Sequence, residues 1–468
     1  MLLVIVLVGF VWYYDDPLRT TPGFFTDEAS IAYNALTISR GGADEHGVPM
    51  PVYFRAFGEY KNPVYIYLLA GVFRVTGPSI LAARTCSIAL GFLAAIALAI
   101  LVRRTTDRIT AAAFALLAAT VTPWLFETSR LVFEVAAFPL ALALALIAVA
   151  ELARRDEISW PLVIACAASF AAVTYTYTAG RLLGPAMAAG LVMLLPRRRI
   201  AELLRVWGVY AVMMIPLVVF AIRNPGALTA RLEQIGGAGG GFFANYFAAF
   251  SPGFLFTMGD ENARHHIPGA GGMITISVAI AAVIGLVAVV RSARSDPWNR
   301  YLLLLLVLSP IPGAITKAPP HALRLITLGV MIMVLAGIGM AKLVDARSDV
   351  WRYGLAPLLF VAVIVQGITF RNRFETVGPL RIDDFNATYP RVFDAAVATH
   401  LPLGVEAKPY YPVLAWWYGA SKGIDRARLP LHSSGTEPAG TVMLGTVPAC
   451  ATCRVIAEDR GFIAYVRE

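Results

Sequence analysis

Two acids stand side by side in Phe25-Thr26-Asp27-Glu28-Ala29, ahead of an amphipathic stretch from Ile31 to Ile38. Thr26 or Asp27 is expected to cap a helix there, which puts both carboxylates at its positive end. Capping alone is the commoner job for an aspartate so placed. The same loop continues, however, with Asp44-Glu45-His46, then Glu59-Tyr60-Lys61-Asn62-Pro63 and the aromatic run Tyr65-Ile66-Tyr67. Acids, one lysine and interfacial aromatics beside a membrane suit a reaction at the level of the lipid headgroups.

Further polar clusters recur along the chain. Thr122-Pro123-Trp124-Leu125-Phe126-Glu127-Thr128-Ser129-Arg130 leads to Phe133-Glu134. Arg130 and Glu134 are four apart, so on a helix they share a face and can simply pair. Tyr175, Tyr177 and Arg181 line the following turn, where an aromatic belt accounts for the tyrosines. Gly259-Asp260-Glu261-Asn262-Ala263-Arg264-His265-His266 joins acids to two histidines. Adjacent histidines point their rings in different directions and lack the spacing of helical zinc sites, so no metal is assigned to this run. A polar patch gripping phosphate through Arg264 is the more economical reading. Lys317, His321 and Arg324 form a small cationic cluster in the turn 316–324. Snorkelling flanks of the next span would explain it, were such flanks not mostly on the other side of the membrane. Cys450-Ala451-Thr452-Cys453 has no second pair, which favours a plain disulfide or two idle thiols over a zinc site.

These clusters sit in a very apolar chain. Of its 468 residues, 58% are hydrophobic and 15% charged, and the mean hydropathy is +0.67. Soluble domains run near half apolar and a quarter charged, so a soluble enzyme, a nucleic-acid-binding domain and a disordered scaffold are all excluded. Apolar runs of membrane-spanning length are expected near 1–14, 79–102, 109–123, 134–150, 158–175, 182–196, 204–222, 271–290, 301–315, 324–341 and 353–370. The first ends in Trp12-Tyr13-Tyr14, an interfacial aromatic belt with no small-residue cleavage site after it, unlike a signal peptide.

The net charge of +9 follows the same plan. Loops 103–108, 151–157, 197–205, 291–300 and 342–352 carry 15 basic residues against eight acidic ones, whereas the alternate short connections hold only Arg130, Arg181, Lys317 and Arg324. The basic loops are therefore expected on the cytoplasmic side. About eleven spans then place the N-terminus inside, and the loops 15–78 and 223–270 and the tail after 370 outside. Domains 1–370 and 371–468 follow, the first transmembrane. In the second, polar residues return and Thr441-Val442-Met443-Leu444 suggests short strands, so it reads as a small extracytoplasmic α/β domain. Its Tyr410-Tyr411 and Trp416-Trp417-Tyr418 could grip sugar rings or, more commonly, fill a core. Gly236 to Gly241 reads as a flexible hinge.

Taken in order, these segments resemble the polyprenyl-phosphate-dependent glycosyltransferases of the GT-C superfold, among them bacterial lipid A aminoarabinose transferases and protein O-mannosyltransferases. The resemblance covers the whole chain: a first outside loop with Asp-Glu, about eleven spans, and an outside C-terminal domain. It implies that Asp27, with Glu28 beside it, is catalytic. Glu59-Tyr60-Lys61-Asn62-Pro63 resembles the acid-Lys-Pro signature whose lysine binds the carrier phosphate, although Tyr60 and Asn62 are inserted around the lysine. Pro123, Trp124, Ser129, Arg130 and Glu134, the run Pro320-His321-Ala322-Leu323-Arg324, and Asp260 with Arg264 look like segments of uncharacterised bacterial members.

The resemblance implies transfer of a sugar from a polyprenyl-phosphate carrier in the bilayer to a glycan, lipid or protein acceptor outside the cytoplasm. No nucleic acid takes part. Asp27 would be general base, and Lys61, Arg264 and Arg324 would stabilise the leaving phosphate. Glu59, Arg130, Glu134, Asp260, His265, His266 and His321 are the further candidates for contacting substrate. Some of these enzymes use a divalent metal, and Asp27 remains an open position for one. The competing class is a transporter or lipid-linked sugar flippase, whose polar groups belong nearer the bilayer midplane than in loops.

Overall fold

Runs such as Ile109–Val121 contain no proline and carry almost nothing but small and straight-chain apolar residues. In apolar surroundings a helix satisfies every backbone group within the segment, and these residues favour it. A computed structural model describes residues 2–236, 241–317, 320–433, 436–446 and 452–467. Gly237–Gly240 of the expected hinge, Ala318 and Pro319 of the cationic turn, and Cys450 of the cysteine pair lie outside the described residues.

The chain is mainly α-helical. In order, the helices are α1 (Leu2–Tyr14), α2 (Thr26–Gly41), α3 (Pro63–Thr76), α4 (Ile80–Thr106), α5 (Ile109–Val121), α6 (Pro123–Thr128), α7 (Phe138–Arg154), α8 (Trp160–Thr176), α9 (Gly180–Gly190) and α10 (Ile200–Arg223). They continue with α11 (Ala230–Ile235), α12 (Phe242–Ala248), α13 (Ile276–Ser292), α14 (Pro297–Leu308), α15 (Ile311–Ala314), α16 (Ile326–Val344), α17 (Ala356–Val377), α18 (Tyr389–Ala398) and α19 (Pro412–Ser421). Each apolar run expected to span falls on one of these helices, except 301–315, which is broken between α14 and the short α15. Among the described residues, five helical stretches are long and apolar enough to cross a membrane: Ile80–Thr106, Glu134–Arg154, Ile200–Arg223, Ile326–Val344 and Val350–Leu380. Others are shorter. At 13 residues each, α1 and α5 reach about 20 Å, against a hydrocarbon core of about 30 Å. The sequence also hid an apolar helix, α3, inside what reads as the first long loop.

The chain divides into two compact units. The first comprises Met1–Asp15, Glu59–Tyr65 and Ser87–Phe374. Its centre is α16, buried along nearly its whole length and packed against α5, α7 and α13. The α13 and α16 backbones touch: a Cβ on Gly285 or on Gly339 would lie 1.9 Å from the carbonyl oxygen of Leu335 or Ala281. Such contact requires glycine. By contrast, α10 and α17 expose Val212, Ile215, Ile222, Leu358, Val361 and Ile368, the outward apolar surface of a helix that faces lipid. Tyr13 is not at an interface but buried, donating to Ala119 O at 3.3 Å.

The second unit comprises Asp16–Gly58, Ile66–Cys86 and Glu375–Glu468. Strands β1 (Phe54–Ala56) and, in the first unit, β2 (Glu59–Lys61) are short. Strands β3 (Leu403–Glu406), β4 (Leu431–His432), β5 (Val442–Gly445), β6 (Arg454–Asp459) and β7 (Phe462–Val466) form a sheet in the order β4-β3-β5-β7-β6. Here β3 runs parallel to β4 and β5, while β7 is antiparallel to β5 and β6. Every residue of β5 is buried, so the sheet is covered on both faces. Helix α18 packs on this sheet, and α19 packs against α2. The expected amphipathic face on α2 is absent, because residues 28–36 are all buried. Trp416, Trp417 and Tyr418 are core residues; Trp417 lies 5.3 Å from the Phe24 ring and Trp416 5.9 Å from that of Tyr33.

Candidate active site

In the second unit the acidic pair opens α2, but its cap is Phe25, not Thr26 or Asp27. Glu28 reaches back instead and accepts from the Phe25 N–H at 2.9 Å, as a glutamate in the third helical position does when the capping side chain offers no oxygen. Arg84 donates to both Glu28 oxygens, through Nη2 to Oε2 at 2.8 Å and through Nη1 to Oε1. Both side chains are fully buried, and the guanidinium lies 5.4 Å from the Phe385 ring. Asp27 is half-buried beside this pair.

Both Glu28 oxygens are engaged, and a helix N-terminus favours anions over cations. Arg84 itself carried a readable signal, an arginine inside an apolar span, that the sequence reading passed over.

The first unit assembles several more of the candidates. Lys61 is buried on β2. Beside it in sequence, Glu59 pairs with Arg231 at 3.1 Å. Asn62 donates from its backbone N–H and from Nδ2 to Glu134 Oε1, the latter at 3.2 Å, and accepts at Oδ1 from Arg181 Nη2 at 3.2 Å. Tyr177 lies among these charges. Burial pushes its phenol up to about 12 against the pull of Arg324 and Arg231, while Glu134 and Glu59 add to the rise. Glu59, Glu134 and Arg324 thus share one electrostatic neighbourhood. Asn62, an insertion in the Glu59–Pro63 motif, belongs to it too, as does Arg231, which no motif had marked.

The expected Arg130–Glu134 helix face does not exist, because residues 129–133 form a turn after α6. Arg130 is buried; it donates to the backbone oxygens of Trp12 and Asp15, at 3.4 Å each, and lies 4.5 Å over the Phe126 ring.

The two adjacent histidines do diverge. His266 Nδ1 lies 2.6 Å from Glu127 Oε2, and its Nε2 is 2.9 Å from Gly271 O. Burial works against the charged ring, but Glu127 outweighs it and raises the His266 pKa. Two acceptors on two nitrogens describe an imidazolium. Gly259, at φ +73°, leaves room for that ring: a Cβ there would meet His266 at 2.2 Å. His265 turns the other way, its Nδ1 3.1 Å from Asp260 Oδ2.

The Asp260 carboxylate also accepts from the backbone N–H groups of Asn262 at 2.9 Å and Ala322 at 2.7 Å. Burial would raise its pKa, yet His265 and His321 together with these bonds hold it below the usual carboxylate range. Arg324 donates to Thr316 Oγ1 at 2.8 Å, and burial lowers its proton affinity. Arg264 is half-buried, and Lys317 is exposed.

Residues 60–223 match the family model of dolichyl-phosphate-mannose-protein mannosyltransferases. No curated protein sequence matches the chain. Among solved structures, ArnT from Cupriavidus metallidurans bound to undecaprenyl phosphate is similar, with a TM-score of 0.68 at 13% identity over 99% of this chain and 97% of that one. Its apo form gives 0.66 at 14% identity with the same coverage. The archaeal oligosaccharyltransferase AglB from Archaeoglobus fulgidus, in complex with an inhibitory peptide and a dolichol-phosphate, gives 0.56 at 12% identity over 92% of this chain and 63% of that one. The chain shares the fold of these solved structures along most of its length.

Proposed function

We propose that the chain is an integral-membrane glycosyltransferase that moves a sugar from a polyprenyl-phosphate carrier to an envelope glycan, a lipid or a protein. The observation that carries this reading is the fold match along 99% of the chain to a transferase solved with a polyprenyl phosphate, in a protein whose α2 begins with a half-buried aspartate. Orientation follows from charge. The five loops rich in Lys and Arg lie in the cytoplasm, and loops 15–78 and 223–270 and the tail 371–468 lie on the far side of the plasma (inner) membrane.

In this reading Asp27 is the general base. It takes the acceptor's hydroxyl proton as that oxygen attacks the anomeric carbon. The bond from the anomeric carbon to the phosphate oxygen breaks, and its electron pair leaves on the phosphate. Attack from the face opposite the leaving group inverts the centre. A phosphate leaves readily, so cations replace a general acid, and Lys61, Arg264 and Arg324 offset the growing negative charge. Glu28 is a positioning residue, held by Arg84. Glu59 and Glu134 hold Arg231 and Asn62 in place.

The test is purified protein in detergent, given polyprenyl-phosphate sugars and envelope acceptors. Release of free polyprenyl phosphate together with a glycosylated acceptor is expected. Transport alone, without a sealed compartment, cannot produce it. Intact lipid binding with no release across donors and acceptors would overturn the proposal.

A further inference from the structure

Asp260 Oδ2 is the meeting point of two segments of the first unit. One is the loop around 258–274, which leads into α13. The other is 320–325, which leads into α16. His265 comes from the first and His321 from the second. His265 Nδ1 is 3.1 Å from Asp260 Oδ2 and His321 Nδ1 is 3.9 Å from it. The two imidazole rings are 4.7 Å apart. One ligand atom from each of the three residues falls within 4.8 Å of the other two.

Hydrogen bonding explains only part of this arrangement. His321 Nδ1 is buried and makes no hydrogen bond, and at 3.9 Å it is too far from the carboxylate to make one. A buried nitrogen left in this state has lost water without gaining a partner, which is unfavourable. A cation lying between the three atoms would use that nitrogen's lone pair and the carboxylate oxygen together. Bonds of about 2.0–2.2 Å around a tetrahedral ion put neighbouring ligand atoms roughly 3.3–3.5 Å apart. The distances from Asp260 Oδ2 to His265 and His321 bracket that spacing, and all three ligand atoms lie within 4.8 Å of one another.

We propose that Asp260, His265 and His321 form a divalent-cation site that joins the 258–274 loop to the segment ahead of α16. Two imidazoles and one carboxylate select a borderline transition metal such as Zn2+ over Mg2+ or Ca2+, which prefer all-oxygen shells. The N–H groups of Asn262 and Ala322 orient the carboxylate as outer-shell donors. Three protein ligands leave a fourth position open to water or an anion. Arg324 and Arg231 face His321 electrostatically. Their charge opposes a bare cation, so an oxyanion in the fourth position strengthens binding.

The test uses chelator-treated full-length protein in detergent and Zn2+ alone, followed by calorimetry and by metal content after dialysis. One equivalent per chain is expected. It should be retained in His46→Ala, a surface histidine of the other unit, and weakened about tenfold or more in His265→Ala and His321→Ala. Absence of binding by the unaltered protein, or unchanged binding in the variant lacking both histidines, overturns the site. Should those variants fail to fold, the Co2+-loaded unaltered protein decides. Intense visible bands of a four-coordinate nitrogen and oxygen site support it, and the pale spectrum of six-coordinate Co2+ overturns it.

Discussion

Arg84 of α4 closes on Glu28 of α2 as a two-bonded ion pair from which water is wholly excluded. The pair holds the first turn of α2, because Glu28 also accepts from the Phe25 N–H. Asp27, the next residue back, depends on that turn for its direction. The arginine and the glutamate are therefore structural supports for the aspartate between them and the cap.

Breaking this pair from one side should be severe. Arg84→Ala strands a buried carboxylate and should destabilise the protein by about 3–5 kcal/mol. The double variant Glu28→Leu with Arg84→Met should recover much of that loss in thermal unfolding yet keep transfer low. Full activity in the double variant would show that Asp27 needs no such support.

Asp27→Asn should leave expression, folding and lipid binding intact while transfer falls by about 10²–10⁴-fold, the range of a lost general base. The readout is polyprenyl phosphate released per unit time. Undiminished turnover would remove the base assignment.

Lys61→Ala should raise the apparent KM for the lipid donor roughly tenfold or more, the scale of one charge-assisted hydrogen bond, with a smaller change for the acceptor. Equal changes for both substrates, or none, would take Lys61 out of the phosphate site.

Glu127→Gln should lower thermal stability by about 3–5 kcal/mol, because the buried His266 loses its carboxylate. The loss should also reach the loop that His266 holds, seen as faster amide exchange around Asp260. Unchanged exchange there would mean that the Glu127–His266 bond does not fix that loop.

How much of this was readable beforehand differs by element. The spans were legible because a segment in lipid must satisfy its own backbone groups, and only long apolar runs can do so. Their true lengths were less legible. Residues 63–76 and 123–128 are helical inside stretches that read as loops, where packing and not hydropathy decides. The divergence of His265 and His266 followed from adjacency alone. Their partners, Asp260 and Glu127, could not be assigned, since Glu127 is 139 positions from His266.

Composition and charge order by themselves determined a polytopic membrane protein, its basic loops, and an acidic pair opening a helix. Those properties are local, written in hydropathy and in the identity of neighbours. Tertiary structure alone decided that Glu28 belongs to Arg84, that Asn62 hydrogen-bonds Glu134, and that His321 returns to Asp260 across 61 positions. Each pairing depends on which buried charge finds a partner once water is gone, and desolvation is a property of the packed chain.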